Sequence, residues 1–341
     1  MTVTERTPPP GDRAEAAYDV AVIGGGPAGL SGALVLARSR RGVLVIDAGE
    51  PRNAPSAHAH NYLTRDGAPP AEILAAGRRE VRGYGAEILS PVSVVAAESL
   101  GDGSGAPLFR LGLSDGRSVT ARRLLVATGV RDELPDVPGL AAHWGASVLH
   151  CPYCHGWEAR DQPIALLASN GLAAHMGLLW SQWSDDVTLV THTAPASALD
   201  DAKRARLAAA GVRVVDDRAD GVAVDADGAL SGLTLAGGGS VPCLAVVVSP
   251  RSTVRLGPLA ALGLEPAEVV MEGDVLGTQI ETDPTGRSPV PGIWVAGNAA
   301  SPHEHVVGSA AAGVRAGAMI NMDLIEADTP SVPTPSRRSS R

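Results

Sequence analysis

Short aliphatic runs alternate along the chain with stretches of helical period. YDVAVI (18–23) passes through a glycine-rich turn into PAGLSGALVLARSR, whose apolar positions recur three and four apart, and then into VLVID (43–47). The same order returns in 162–193, where QPIALLAS leads through NG to LAAHMGLLWSQW and on to VTLVTHT. Apolar runs of strand length joined by helices predict βαβ units and parallel sheets. Two such units predict an α/β chain with two Rossmann-like dinucleotide-binding domains of layered type. RRLLVATG (122–129), CLAVVVSP (243–250) and GIWVAGN (292–298) add further central strands. HVVGSAAAGVRAGAMINMDLI (305–325) predicts a last helix whose small residues allow close packing. VRDELPDVPG (130–139) and SPRSTVRLGP (249–258) carry Pro and Gly and are expected to be hinges. They place one domain at 18–130 plus 253–327 and a second, 139–250, inserted into it. The Pro-rich and charged ends, 1–17 and 328–341, are expected to be disordered tails.

Composition narrows the functions open to this chain. Its 341 residues suit two domains. A hydrophobic fraction of 45% excludes disorder through low hydrophobicity. The net charge of −9 argues against nucleic-acid and anionic-membrane partners, which attract basic faces. Lys203 is the only lysine, so a phosphate-binding GK[ST] loop is absent. The N-terminus has no apolar core of signal-peptide type, and the apolar run 21–37 is interrupted by glycines and Pro27. Three cysteines do not build a secreted disulfide framework. The expectation is a soluble cytoplasmic protein.

Gly24-Gly25-Gly26-Pro27-Ala28-Gly29 fits G-x-G-x-x-G directly after a strand. Gly24 suits the tight turn, Gly26 the approach of a pyrophosphate, and Gly29 the packing of helix on strand. The helix N-terminus adds backbone N–H groups and a positive dipole end. Asp47 closes the next strand, where an acid grips a ribose hydroxyl. These features together point to a dinucleotide site.

His150-Cys151-Pro152-Tyr153-Cys154-His155-Gly156-Trp157-Glu158 carries the redox chemistry. A structural zinc site needs four ligands, and Cys243 stands alone, so no metal is expected. C-x-x-C-H also matches haem attachment, which would require export. A redox dithiol fits best, with His155 able to supply the positive charge that favours a thiolate.

With its G-x-G-x-x-G, Ala127-Thr128-Gly129, and the Gly297-Asn298 segment, the chain resembles the two-domain flavin disulfide reductases. Asn298 stands where that family usually has Asp. The C-x-x-C at the entry to the inserted domain matches the low-molecular-weight thioredoxin reductases, and the resemblance spans about residues 18–325. More closely, CPYCHGWE, DAGEPRN (47–53) and ATGVRDELPDVPG (127–139) resemble the thioredoxin reductase-like dithiol oxidases of gliotoxin and holomycin biosynthesis. The resemblance implies FAD as cofactor, a small-molecule dithiol and O2 as substrates, and a homodimer. It implies FAD contacts at Gly24, Gly26, Pro27, Ala28 and Gly29, and at Asp47, Ala48, Gly49, Glu50, Arg52 and His60. Further contacts follow at Ala127, Thr128, Gly129, Gly297, Asn298, His305 and Val306. It makes Cys154 the flavin-proximal thiol and Cys151 the substrate-exchanging one. His155 stands where the reductases carry an acid/base Asp. His303, Glu304 and His305 form a His–Glu–His run at the start of the last helix that could orient a second base or be a solvated helix start, and the backbone N–H groups at His305 and Val306 would steady a reduced flavin.

The second βαβ unit lacks the fingerprint. Gly24, Gly26 and Gly29 correspond to Ala168, Asn170 and Ala173, whose side chains obstruct a pyrophosphate. Thr191-His192-Thr193-Ala194 follows the next strand, with no arginine for a 2′-phosphate until Arg204. The expected activity is therefore oxidation of a dithiol, with oxygen as acceptor. Its alternatives are an NADPH- or ferredoxin-linked disulfide reductase and a flavin-binding redox sensor.

Overall fold

The computed structural model describes residues 16–101 and 107–329. β1 (Ala16–Ile23) turns into α1 (Pro27–Arg38), which returns as β2 (Val43–Ile46), parallel to β1 with Ile23 opposite Ile46. Pro27 fits the first helical turn because its missing N–H would have had no partner there. α2 (Pro70–Gly83) leads to β3 (Glu87–Leu89). β4 (Val94–Ser99), β5 (Phe109–Leu113) and β6 (Ser118–Val126) then run as antiparallel neighbours, and β6 ends parallel to β1. The resulting strand order is β3-β2-β1-β6-β5-β4. β2 is buried throughout, as a central strand covered on both faces must be, whereas β5 alternates.

The chain leaves this sheet through β7 (Val130–Glu133) and enters a second parallel one. Its elements are β8 (Val148–Leu149), α3 (Pro152–His155), β9 (Ile164–Leu167), α4 (Ala173–Trp180), β10 (Val187–Val190), α5 (Asp201–Ala209) and β11 (Arg213–Val215). A three-stranded antiparallel sheet follows, formed by β12 (Ala219–Val224), β13 (Leu230–Leu235) and β14 (Ser240–Pro242). β15 (Ala245–Val248) then completes the order β11-β10-β9-β15-β8. The return segment, β16 (Arg251–Val254), pairs antiparallel with β7, placing Arg251 opposite Glu133. The two expected hinges thus bond to each other. Running side by side, they satisfy one another's backbone donors and acceptors. β17 (Pro266–Met271) and β18 (Asp274–Ile280) enlarge this connecting sheet to the order β17-β18-β16-β7.

β19 (Ile293–Val295) rejoins the first sheet beside β6, and α6 (Val306–Asp328) closes the chain against α1. The two helices touch through backbone. A Cβ on Gly313 would lie 2.0 Å from the Ala28 carbonyl oxygen, and one on Gly317 2.8 Å from that of Gly32. α6 runs on to Asp328, the first residue of the expected C-terminal tail, where Arg122 and Arg41 hold the carboxylate. β1 likewise starts at Ala16, inside the expected N-terminal tail. The rest of both tails lies outside the described residues. Among the described residues no helix is long and apolar enough to cross a membrane.

Candidate active site

A cavity of about 640 Å³ lies between the two parallel sheets, at the carboxyl ends of β1, β2, β6 and β19. Open parallel sheets bind their ligands at these strand ends. Gly24 sits at φ +111°, a conformation that L side chains rarely adopt, and a Cβ there would lie 2.2 Å from the Ala127 carbonyl oxygen. A Cβ on Gly26 would meet nothing within 4 Å, so the turn is open at this point. The N-caps of α1 and α6, Gly26 and His305, both line the cavity, and neither helix has a side-chain cap. Two sets of unpaired N–H groups and two positive dipole ends therefore converge, which suits an anionic ligand.

Most residues expected at a cofactor line this cavity, including Pro27, Ala28, Ala48, Glu50, Thr128, Gly129 and Val306. Gly29, Gly49 and Gly297 do not. Gly29 lies beneath the turn, where a Cβ would sit 1.9 Å from the Gly24 carbonyl oxygen. Gly49 donates its N–H to Asp47 at 3.3 Å, and a Cβ on Gly297 would press on Ala28 at 2.7 Å.

The expected ribose contact of Asp47 is corrected by its bonding. Its Oδ1 accepts the N–H groups of Gly25 (3.1 Å) and Gly49, and its Oδ2 accepts Arg78 (2.8 Å) and the Ser90 hydroxyl (3.3 Å). A carboxylate so engaged braces the turn and has no lone pair left for a ribose. Glu50, exposed in the same wall, has that freedom. Arg52 is similarly occupied. It grips Asp132 through Nε (2.7 Å) and Nη2 (2.6 Å) and donates to the Pro302 carbonyl at 2.7 Å, tying β7 to the loop before α6. The Asn298 amide holds that same loop through the carbonyls of Ser301, Pro302 and Glu304, leaving its own oxygen for the cavity. Arg78 was not found from the sequence, because only the fold brings α2 beside β2. Its Nε and the Thr128 hydroxyl are buried without a partner in the cavity wall, two donors suited to phosphate or ribityl oxygens.

Cys151 and Cys154, joined as a disulfide, line the same cavity. The Cys151 sulfur caps α3, accepting the Cys154 N–H at 3.2 Å. His305 Nε2 lies 3.9 Å from Cys151 Sγ. Both sulfurs and this nitrogen lie within 4.8 Å of one another, a set that could take a metal only with the disulfide opened. Burial pushes His155 below the ordinary histidine range, so it is neutral at pH 7 and a base rather than the source of fixed charge expected from the sequence. Burial and the Arg52 guanidinium likewise push His150, stacked on Trp144, down to about 4, and they lower His303 as well. His60, in the cavity wall, faces Asp66 through Nδ1 and Glu158 through Nε2, both at 3.4 Å, so its ring sits between the 60–66 loop and the turn after α3. Glu304 turns away from the disulfide side of the cavity. Its carboxylate folds back over Gly308, toward the positive end of α6.

The pyridine nucleotide-disulphide oxidoreductase model matches residues 18–317. The chain belongs to this family. Its match to the crystal structure of HlmI has a TM-score of 0.83 and 43% identity, covering 94% of this chain and 96% of that one. The crystal structure of the oxidoreductase from Agrobacterium tumefaciens matches with a TM-score of 0.81 and 34% identity over 91% and 99% of the two chains. Thioredoxin reductase sirT of Leptosphaeria maculans is 32% identical over 91% of this chain and 95% of its own length. Against four other curated thioredoxin reductases the match spans between 37% and 60% of the relative. The chain is therefore a thioredoxin reductase-like oxidoreductase of flavoprotein type.

The turn after β9 opens on a cavity of only about 10 Å³, lined by Ala168, Asn170 and Ala173. Trp180 is fully buried in the core of this sheet, and Trp183 packs edge-on against Tyr153 of α3 at 6.0 Å. Cys243 is buried there too, and burial pushes its thiol up to about 12, an inert core residue.

Proposed function

We propose that this protein is an FAD-dependent dithiol oxidase that closes a small-molecule dithiol into an intramolecular disulfide, as in the making of a disulfide-bearing natural product. The observation that carries this reading is that the Cys151–Cys154 disulfide and the open Gly24–Ala28 turn share one cavity, while the second turn is shut. The two sheets are taken as the two domains, 18–130 with 253–327 and 139–250. The Gly24–Ala28 turn and the start of α1 would hold the pyrophosphate, Glu50 a ribose hydroxyl, and Arg78 Nε a phosphate oxygen. The open start of α6 would face the negative charge gained by a reduced flavin. Bound FAD would accept two electrons from the Cys pair and pass them to O2, giving H2O2.

The chain's own residues account for the thiol chemistry. A substrate thiol approaching Cys151 Sγ comes beside His305 Nε2, which takes its proton. The thiolate attacks Cys151, the 151–154 bond breaks, and Cys154 leaves as thiolate. Neutral His155, next in the chain, steadies that thiolate by donating its ring N–H and can take the proton of the second substrate thiol. The second substrate thiol then attacks the mixed disulfide, and the product departs with its new S–S bond while both cysteines are left reduced.

Stopped-flow absorbance near 450 nm without oxygen tests the proposal. A small dithiol should bleach the flavin band, NADPH should not, and air should restore the colour with peroxide. Rapid bleaching by NADPH would make the protein a reductase, as the names of several relatives have it.

A further inference from the structure

The turn after β9 is closed by a carboxylate from another part of the fold. Asp274 Oδ2 accepts the Gly171 N–H at 2.6 Å. Asn170 completes the closure, its Oδ1 accepting the Leu172 N–H at 3.0 Å and its carbonyl the Ala173 N–H at 3.3 Å. The three N–H groups that lead into α4 thus all have protein partners, whereas α1 and α6 begin without a side-chain cap. Thr193 and Ala194 also donate to the Ala168 carbonyl, at 3.2 and 3.1 Å, folding the segment after β10 over the end of β9. Asp274 opens β18 in the connecting sheet, after a reverse turn in which Glu272 and Gly273 have φ of 50° and 87°. This turn is seated against Gly171, where a Cβ would lie 3.0 Å from Glu272 Cβ and 3.1 Å from Asp274 Oδ2.

A helix N-terminus after a parallel strand is where this fold receives the phosphates of a nucleotide. We propose that Asp274 is a built-in anion that takes this place, so that it determines which reductant the enzyme accepts. An incoming pyrophosphate finds the Gly171 N–H already bonded and meets a like charge beside it. The same bond ties the connecting sheet to the inserted one and restrains the second domain in the orientation that keeps the Cys pair in the cavity. This inference rests on the dithiol-oxidase reading for its purpose, though not for its geometry.

ADP-ribose, a nucleotide pyrophosphate with no redox-active ring, is the probe. Its binding is measured by isothermal titration calorimetry on the purified flavoprotein, on Asp274→Asn, and on Asp274→Ala combined with Asn170→Gly. Retention of the flavin band shows that each is folded, and anaerobic bleaching by dithiothreitol is recorded on each. Asp274→Asn keeps an acceptor for the Gly171 N–H but removes the charge, and should bind ADP-ribose more tightly than the parent and less tightly than the double variant. The double variant should bind ADP-ribose about tenfold or more tighter than the parent, a difference of about 1.4 kcal/mol or more. Equal affinity in parent and double variant overturns the assignment, whether both bind or neither does. Failure of dithiothreitol to bleach the parent would instead sink the oxidase reading and leave the ADP-ribose comparison standing.

Discussion

The turn after β1 opens on a cavity of about 640 Å³ and the turn after β9 on one of about 10 Å³, although each joins a buried parallel strand to a helix. The strands and helices are equivalent, and the difference lies in a few side chains. Gly26 presents open space where Asn170 turns its amide back onto the turn, and Gly24 bends at φ +111° where Ala168 does not take a positive φ. No side chain caps α1, whereas an aspartate holds the turn before α4. Fold and ligand capacity are thus set by different residues. Buried aliphatic runs dictate the sheet, and the atoms around three or four N–H groups dictate whether it can take an anion.

If the open turn serves the reaction and the closed one does not, damage on the first side must be large. Cys154→Ser should retain FAD yet slow anaerobic bleaching by a dithiol at least about 10³-fold, as loss of an acting nucleophile or leaving group does. A smaller loss would mean that electrons bypass the Cys pair. His305→Gln should slow the same step by about 10²-fold, the usual contribution of a positioned base. If His155→Gln slows it more, the 3.9 Å approach of His305 to Cys151 does not mark the working base.

The site should also show in the pH dependence of stability. His150 titrates near 4 in the folded chain, well below its ordinary value. Between the two values the unfolded chain binds a proton that the folded chain does not. Stability should therefore fall as pH drops from about 6.5 to about 4, by roughly 3 kcal/mol, and level off below. Urea denaturation across that range should show the decline, and His150→Gln should flatten it. The smallest effect belongs to the closed turn. Gly29→Ala forces a Cβ into the Gly24 carbonyl and should lower flavin content several-fold, whereas Ala173→Gly should change neither flavin content nor bleaching rate beyond about twofold.

Both βαβ units, the glycine turn and the Cys pair were legible in the sequence because each is local. A run of aliphatics, a G-x-G-x-x-G or a C-x-x-C states its geometry within a few residues. Arg78 and Asp274 were not legible, since each reaches its place from a distant element. Asp47 misled for a related reason. Its position after β2 is that of a ribose-binding acid, but the donors that engage it come from α2 and from the loop after β3. The histidines misled on charge, because spacing shows an imidazole near a thiol and only burial shows that it is neutral.

The contact between Gly313 of α6 and Ala28 of α1 has a consequence for how the chain is made. α6 is made long after α1 and lies on it, so the Gly24–Ala28 turn waits for this cover while the whole inserted sheet is synthesised. Between Val126 and Val306 the ribosome adds stretches that complete the second sheet, which takes roughly 10–40 s at ordinary elongation rates. The nascent chain thus holds Cys151 and Cys154 beside a finished sheet before the Gly24–Ala28 turn has its cover. On the proposed reading, loading of the flavin becomes a late event, gated by the arrival of α6.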